Sequence, residues 1–165
     1  MDARAIIEKL SLVPHPEGGW YREVHRSATR VETERGARRA VTTIYYLLEQ
    51  RQCSRWHVVA SDEVWHFYAG APLELLAYDP ASQQLERHAL AQPGTSHEPA
   101  AVIEAGIWQA ARSLGEYSLV GCTVGPGFEF DDCQVVSSRP EHSRHVTGAL
   151  APVADLLHAQ NEHEP

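Results

Sequence analysis

Apolar residues follow three regimes along the chain. In residues 2–12, DARAIIEKLSL, they recur at Ile6, Ile7 and Leu10 behind Asp2, the spacing of a short amphipathic helix with an aspartate N-cap. PHPEGGWYREV then breaks that period with two prolines and two glycines, which predicts a loop before Trp20, Tyr21 and Val24 resume as a strand. AVTTIYYLLE after Gly36 is β-branched and aromatic. A helix there would restrict Val41, Thr42, Thr43 and Ile44 at χ1, so a strand buried on both faces is expected.

Strand-length runs follow at short intervals: RWHVVAS, EVWHFYAG, LELLAYD, QLERHAL, AAVIEAG, WQAARS, YSLVGCTV and FEF. Between them stand Gly70-Ala71-Pro72, Asp79-Pro80, Pro93-Gly94 and Gly125-Pro126-Gly127, all turn chemistry. Short strands at this rhythm predict an all-β sandwich or barrel. GALAPVADLLHAQ returns to helical spacing, with Leu150, Val153, Ala154 and Leu157 on one side. A C-terminal helix over 149–159 and a tail over 160–165 are therefore expected. No repeat or linker divides the sequence, which reads as one domain over 1–165 with its core at about 10–135.

Composition narrows the function classes. A chain of 165 residues can bury roughly two-thirds of its unfolded surface in one core. No run approaches the ~20 apolar residues of a membrane span, and MDARAIIEKL lacks the apolar stretch of a secretory signal, so a cytoplasmic location without membrane association is expected. Cys53, Cys122 and Cys133 are odd in number and lack CxxC spacing, which argues against a disulfide framework or a thiolate zinc site. Fourteen basic against 22 acidic residues give a formal charge of −8, unfavourable for nucleic-acid binding. The one basic cluster, Arg35, Arg38 and Arg39, reads as a solvated turn, with an anionic ligand as the alternative.

The stretch SRWHVVASDEVWHFYAG, residues 54–70, concentrates the candidate chemistry. Strand alternation puts Arg55, His57 and Val59 on one face, and Glu63, Trp65 and Phe67 on one face of the next run. A turn at Ala60-Ser61-Asp62 would bring His57 and Glu63 onto one inner wall. An imidazole and a carboxylate suit either a divalent metal or acid–base work. His66 and Tyr68 share the opposite parity, and a β-bulge would be needed to turn them inward.

The spacing His57-x5-Glu63-x6-Gly70 resembles the first cupin motif, and EAGIWQAA, with Gly106 and Gln109, resembles the second. PHPEGGWYRE, TTIYYLLE, SRWH, SDEVWHFYAGAPLELL, AGIWQAA and YSLVGCTVGPGFEFDD together resemble the cupin_5 family, a domain of unknown function, over about residues 10–135. The resemblance implies an RmlC-like jelly roll, or double-stranded β-helix, that is usually dimeric and carries a pocket in its mouth. Val59 and Gln109 stand where metal-binding cupins place histidines. What remains is a possible His57, Glu63 and Gln109 set for a weakly bound divalent metal such as Zn, Fe, Mn or Ni.

The same residues support metal-free chemistry. Some RmlC-like cupins are sugar epimerases that remove a proton beside a carbonyl with a histidine and return one from a tyrosine. His57 with Glu63 fits a base and its orienter; Tyr68, Tyr45 or Tyr46 fits the acid, and Gln109 a donor to the enolate oxygen. Trp65 and His66 are further ligand-contact candidates. Trp20 offers a stacking face if the glycine-rich PHPEGGW is a lid, the alternative being an arm that crosses to a second subunit, and Glu129, between Phe128 and Phe130, is a second acid if it faces inward rather than to solvent. If Gln109 faces inward, Trp108 does not. Ser54, Ser61 and Cys53 lack any nucleophile-elbow pattern. The expectation is a homodimeric jelly roll binding a small polar or sugar-like ligand, as an epimerase or isomerase requiring no cofactor. A non-catalytic binding module and a metal-dependent enzyme are the alternatives.

Overall fold

A computed structural model describes residues 2–94 and 96–135. Helix α1 (Ala3–Leu10) begins where Asp2 accepts the Ala5 N–H at 2.8 Å, which satisfies one of the free donors of the first turn. The strands are β1 (Val13–Pro14), β2 (Trp20–Arg26), β3 (Arg30–Val31), β4 (Arg38–Arg39), β5 (Thr42–Glu49), β6 (Cys53–Val59) and β7 (Asp62–Gly70). They continue as β8 (Leu73–Asp79), β9 (Gln84–Leu90), β10 (Ala100–Ile103), β11 (Trp108–Ser113), β12 (Tyr117–Gly125) and β13 (Cys133–Val135). The expected helix over 149–159 and the tail lie outside the described residues. FEF does not form a strand: Phe130 opens a short 3₁₀ turn, Phe130–Asp132.

Two antiparallel sheets carry the fold, ordered β1-β2-β5-β12-β7-β10 and β13-β6-β11-β8-β9. From β5 onward every connection crosses from one sheet to the other, except the β8–β9 hairpin. That alternation makes a jelly roll, a double-stranded β-helix. It also changes how the 54–70 stretch is built. β6 and β7 are not hairpin partners on one wall; they belong to facing sheets.

Strand alternation sorts the core. Tyr46, Leu48, Trp65, Phe67, Leu75 and Val120 meet between the sheets. Leu76, Tyr78, Trp56 and Trp108 form a separate cluster on the opposite face of the five-stranded sheet. Leu47 points out of the barrel to pack with Ile6 and Leu12 beneath α1, so β5 is buried on both faces over part of its length.

Among the described residues three bulges break the alternation. Between β2 and β5, Glu23 faces Ile44 while His25 faces Thr43, which leaves Val24 as the extra residue and puts Arg26 on the cavity side with Tyr21 and Glu23. Between β6 and β11, Gln109 faces His57 while Ala111 faces Ser54, so β6 holds one extra residue at Arg55–Trp56 and both Ser54 and His57 turn inward. Between β7 and β12, Leu119 faces Ala69 while Val120 faces Phe67, which leaves Tyr68 as the extra residue.

The Arg35 and Arg38 side chains are spent inside the fold. Arg38 binds Asp132 through both Nε and Nη2, at 2.7 and 2.9 Å, and Arg35 reaches Asp132 at 3.4 Å and the Ser61 hydroxyl at 2.9 Å. This clamp ties the β3–β4 ribbon to the turn that leads into β13.

Candidate functional site

Between the sheets, at the end where β2, β5, β6, β7 and β12 converge, lies a cavity of about 310 Å³, within the size range of small-molecule sites. His57, Val59 and Ser54 line it from one sheet; Tyr46, Glu63, Trp65 and Cys122 line it from the other. His15 and Glu17 close one side, and Glu23, Arg26, Phe128 and Phe130 surround the opening.

The loop His15–Gly19 folds back over the barrel. Gly18 donates to the His15 carbonyl, and His15 donates to that of Gly19. Gly19 adopts φ +69°, and a Cβ there would lie 2.6 Å from the Leu47 carbonyl oxygen, so only glycine fits. Arg55 fastens this loop: its N–H donates to the Glu17 carbonyl at 3.0 Å and its Nη2 to the Pro16 carbonyl at 2.6 Å. The Arg55 carbonyl, on the same residue, lies 2.7 Å from His57 Nδ1.

That contact fixes the imidazole. A carbonyl only accepts, so Nδ1 carries the hydrogen and Nε2 is the nitrogen free to gain or lose a proton. Nε2 faces Glu17 Oε2 at 3.4 Å, close for an ion pair and too long for a good hydrogen bond. Glu17 Oε1 accepts from the Cys133 thiol at 3.2 Å. Burial and the Glu17 charge push that thiol well up, so it acts as a neutral donor rather than a nucleophile. His57, Glu17 and Glu63 are each less than a tenth exposed.

On the facing wall Glu63 Oε2 accepts from Gln109 Nε2 at 2.6 Å, and Gln109 Oε1 accepts from Trp65 Nε1 at 2.9 Å. The indole can only donate, which settles the orientation of the amide. Burial holds the Glu63 carboxyl above the usual carboxylate range; His57 opposes that shift and Glu17 adds to it. Tyr46 donates to the Gly18 carbonyl at 2.7 Å, and burial, with the Glu17 charge, pushes its phenol well up. His15 stacks edgewise on Tyr21 and Tyr46. Its Nδ1 accepts the Glu17 N–H, and burial lowers its pKa.

The expected metal set does not fit this geometry. Gln109 presents its amide nitrogen to Glu63 and its oxygen to Trp65, leaving no oxygen shared with His57 and Glu63. Among the described residues no three His, Cys, Asp or Glu side chains are grouped to hold a metal ion. Gln109 serves instead as a fixed link between Glu63 and Trp65.

Four sequence candidates lie away from the cavity interior. Tyr68, the bulge residue, is 46% exposed on the outer face, where its hydroxyl lies over Gly121 in the space a Cβ would take and its ring meets Tyr45 edgewise. His66 is on the same outer face, opposite Gly121 in β12. Trp20 points out to the α1 cluster and donates to Glu49. Glu129 stays at the rim, where it pairs with Arg26 at 2.9 Å. Trp108 and Gln109 point to opposite faces of β11. Glu17, His15, Tyr21 and Arg26 were not picked out as site residues from the sequence; for Glu17 and His15 the one signal was the acid and histidine set among turn residues in PHPEGGW.

A family model described as cupin superfamily (DUF985) matches residues 4–136. The chain belongs to this family, Cupin_5. A hypothetical protein from Leishmania major is 30% identical, with 95% of this chain and 97% of that one covered at a TM-score of 0.81. A Shewanella oneidensis protein is 28% identical, with 99% of each chain covered, also at 0.81. More distant likeness shows the fold alone: a dTDP sugar isomerase from Desulfovibrio desulfuricans is 11% identical at TM-score 0.53, covering 74% of this cupin and 87% of that chain. No curated protein sequence gives a significant match.

Proposed function

We propose that this cupin binds a small polar, sugar-like carbonyl compound in the cavity and moves a proton on the carbon beside the carbonyl, as an epimerase or isomerase. The observation that carries this reading is that His57 and Tyr46 face one cavity from opposite sheets. A substrate held between them presents one face of its acidic carbon to an imidazole and the other to a phenol. In its neutral form His57 Nε2 takes the proton, and the C–H electron pair moves into the carbonyl to give an enolate. The Ser54 hydroxyl, buried in the cavity wall beside His57, is the donor to the enolate oxygen. Tyr46 returns a proton from the opposite face, inverting the centre. Solvent then resets both groups. Glu17 steadies the imidazolium during the step.

No resident metal is needed for this sequence, and none of its steps uses Tyr68 or His66. A homodimer and a cytoplasmic location belong to the same proposal, the first checked by light scattering on purified protein.

The test is incubation with a panel of aldoses and ketoses in deuterated water, followed by NMR. Wild type should exchange the hydrogen beside the carbonyl of at least one compound, and His57→Ala should lower that rate about 10²-fold or more. Tyr46→Phe should keep exchange but lose the inverted product, whereas Tyr68→Phe should change neither. Saturable binding without exchange anywhere in the panel would favour a non-catalytic binding module.

A further inference from the structure

The charges of the cavity do not balance. Glu17 and Glu63 are both buried in it, His57 stands between them, and burial disfavours the charged form of His15, the second imidazole in the lining. Among the described lining residues the only lysine or arginine is Arg26. Its guanidinium sits at the opening and is held by Glu23, at 2.8 Å, and by Glu129 and the Phe128 carbonyl. If His57 carries the counter-charge of Glu17, Glu63 has only the neutral Gln109 amide and the Cys122 thiol beside it. A buried carboxyl without a cation either stays protonated or waits for one.

The walls match a cation. Trp65 and Tyr46 meet edgewise, with ring centres 6.0 Å apart, and both line the cavity next to Glu63. Aromatic faces beside a carboxylate favour an ammonium group over an anion. A second orphan lies on the facing wall. The Ser54 side chain is 1% exposed and stands beside the Tyr46 phenol, yet its Oγ makes no well-formed hydrogen bond among the described residues. A buried hydroxyl in a cavity wall is ordinarily satisfied, here by a ligand atom.

We infer that the ligand of this cavity carries a protonated amine, seated against Glu63 and the rings of Trp65 and Tyr46, and a hydroxyl or carbonyl that bonds Ser54. This rests on the reading of the cavity as the ligand site and narrows its substrate class to small amino-bearing polar compounds, with anionic ones excluded.

Three two-carbon probes separate the charge classes: ethanolamine, ethylene glycol and glycolate, titrated into the full-length protein while the Trp65 indole N–H is followed by NMR. Ethanolamine should shift the signal saturably, with an affinity about tenfold or more above that of ethylene glycol, and glycolate should leave it unmoved. Glu63→Gln should bring ethanolamine down to ethylene glycol, and Ser54→Ala should weaken both alcohols without altering their ratio. An absent ethanolamine shift, a glycolate shift of similar strength, or an unchanged preference in Glu63→Gln would overturn the inference. Binding needs no turnover, so a failure of isotope exchange leaves this result standing. Conversely, exchange on neutral sugars with no ethanolamine preference overturns only the amine.

Discussion

His57 Nε2 faces the Glu17 carboxylate at 3.4 Å, and one residue, Arg55, holds both. Its carbonyl fixes the ring through Nδ1, and its backbone N–H and guanidinium hold the loop that carries Glu17. Arg55→Met keeps the two backbone contacts and removes the guanidinium bond to the Pro16 carbonyl. We expect a loss of about 1 kcal/mol in denaturant unfolding, together with a fall in isotope exchange out of proportion to it. Unchanged exchange would show that the loop holds Glu17 without the guanidinium.

Gly19 should tolerate no side chain. Gly19→Ala combines a positive φ with a Cβ pressed on the Leu47 carbonyl and should cost at least about 1–2 kcal/mol. The same change at Gly94, where a Cβ meets nothing within 4 Å, carries only the dihedral cost, and thermal unfolding of the two variants separates strain from clash.

Glu63 makes stability fall with rising pH. Its folded pKa lies above the ordinary carboxylate value because of burial. Its contribution is therefore complete below the unfolded value of about 4.3 and is lost as pH rises through the folded one. His15, lowered by burial, works in the other sense and loses stability as pH falls below about 6.5. Glu63→Gln removes the first slope and keeps the second. In denaturant melts across pH 4 to 8, the variant should gain on wild type as pH rises; a constant difference would mean that Glu63 stays ionised throughout.

Chelation should change nothing the site does. Because the Gln109 amide is bound to Glu63 and Trp65, we expect substoichiometric metal by elemental analysis of untagged protein. Wild-type exchange rates should be equal before and after dialysis against a chelator. Exchange that vanishes on chelation and returns with Zn, Fe, Mn or Ni would place a metal in the mechanism.

Much of the fold was legible because strand alternation is local. The period-2 pattern put Glu63, Trp65 and Phe67 on one face of β7 and His66 on the other, and those are the faces they occupy. The turn at Ala60-Ser61-Asp62 was misleading, since a short connection serves a hairpin or a crossing between sheets equally well. The bulges were silent as well: one extra residue at Arg55–Trp56 turns Ser54 inward, and the one at Tyr68 leaves that phenol in solvent. Glu17 reaches His57 only through the fold-back of the His15–Gly19 loop onto β6, a long-range contact with no local period to announce it.

The central claim is that His57 offers Nε2 to the cavity as the proton-transfer atom, and ¹⁵N-resolved NMR of the imidazole tests it most directly. We expect the neutral ring to carry its hydrogen on Nδ1, bonded to the Arg55 carbonyl, and to leave Nε2 bare toward the cavity. A neutral ring protonated at Nε2, with Nδ1 bare, would contradict the claim.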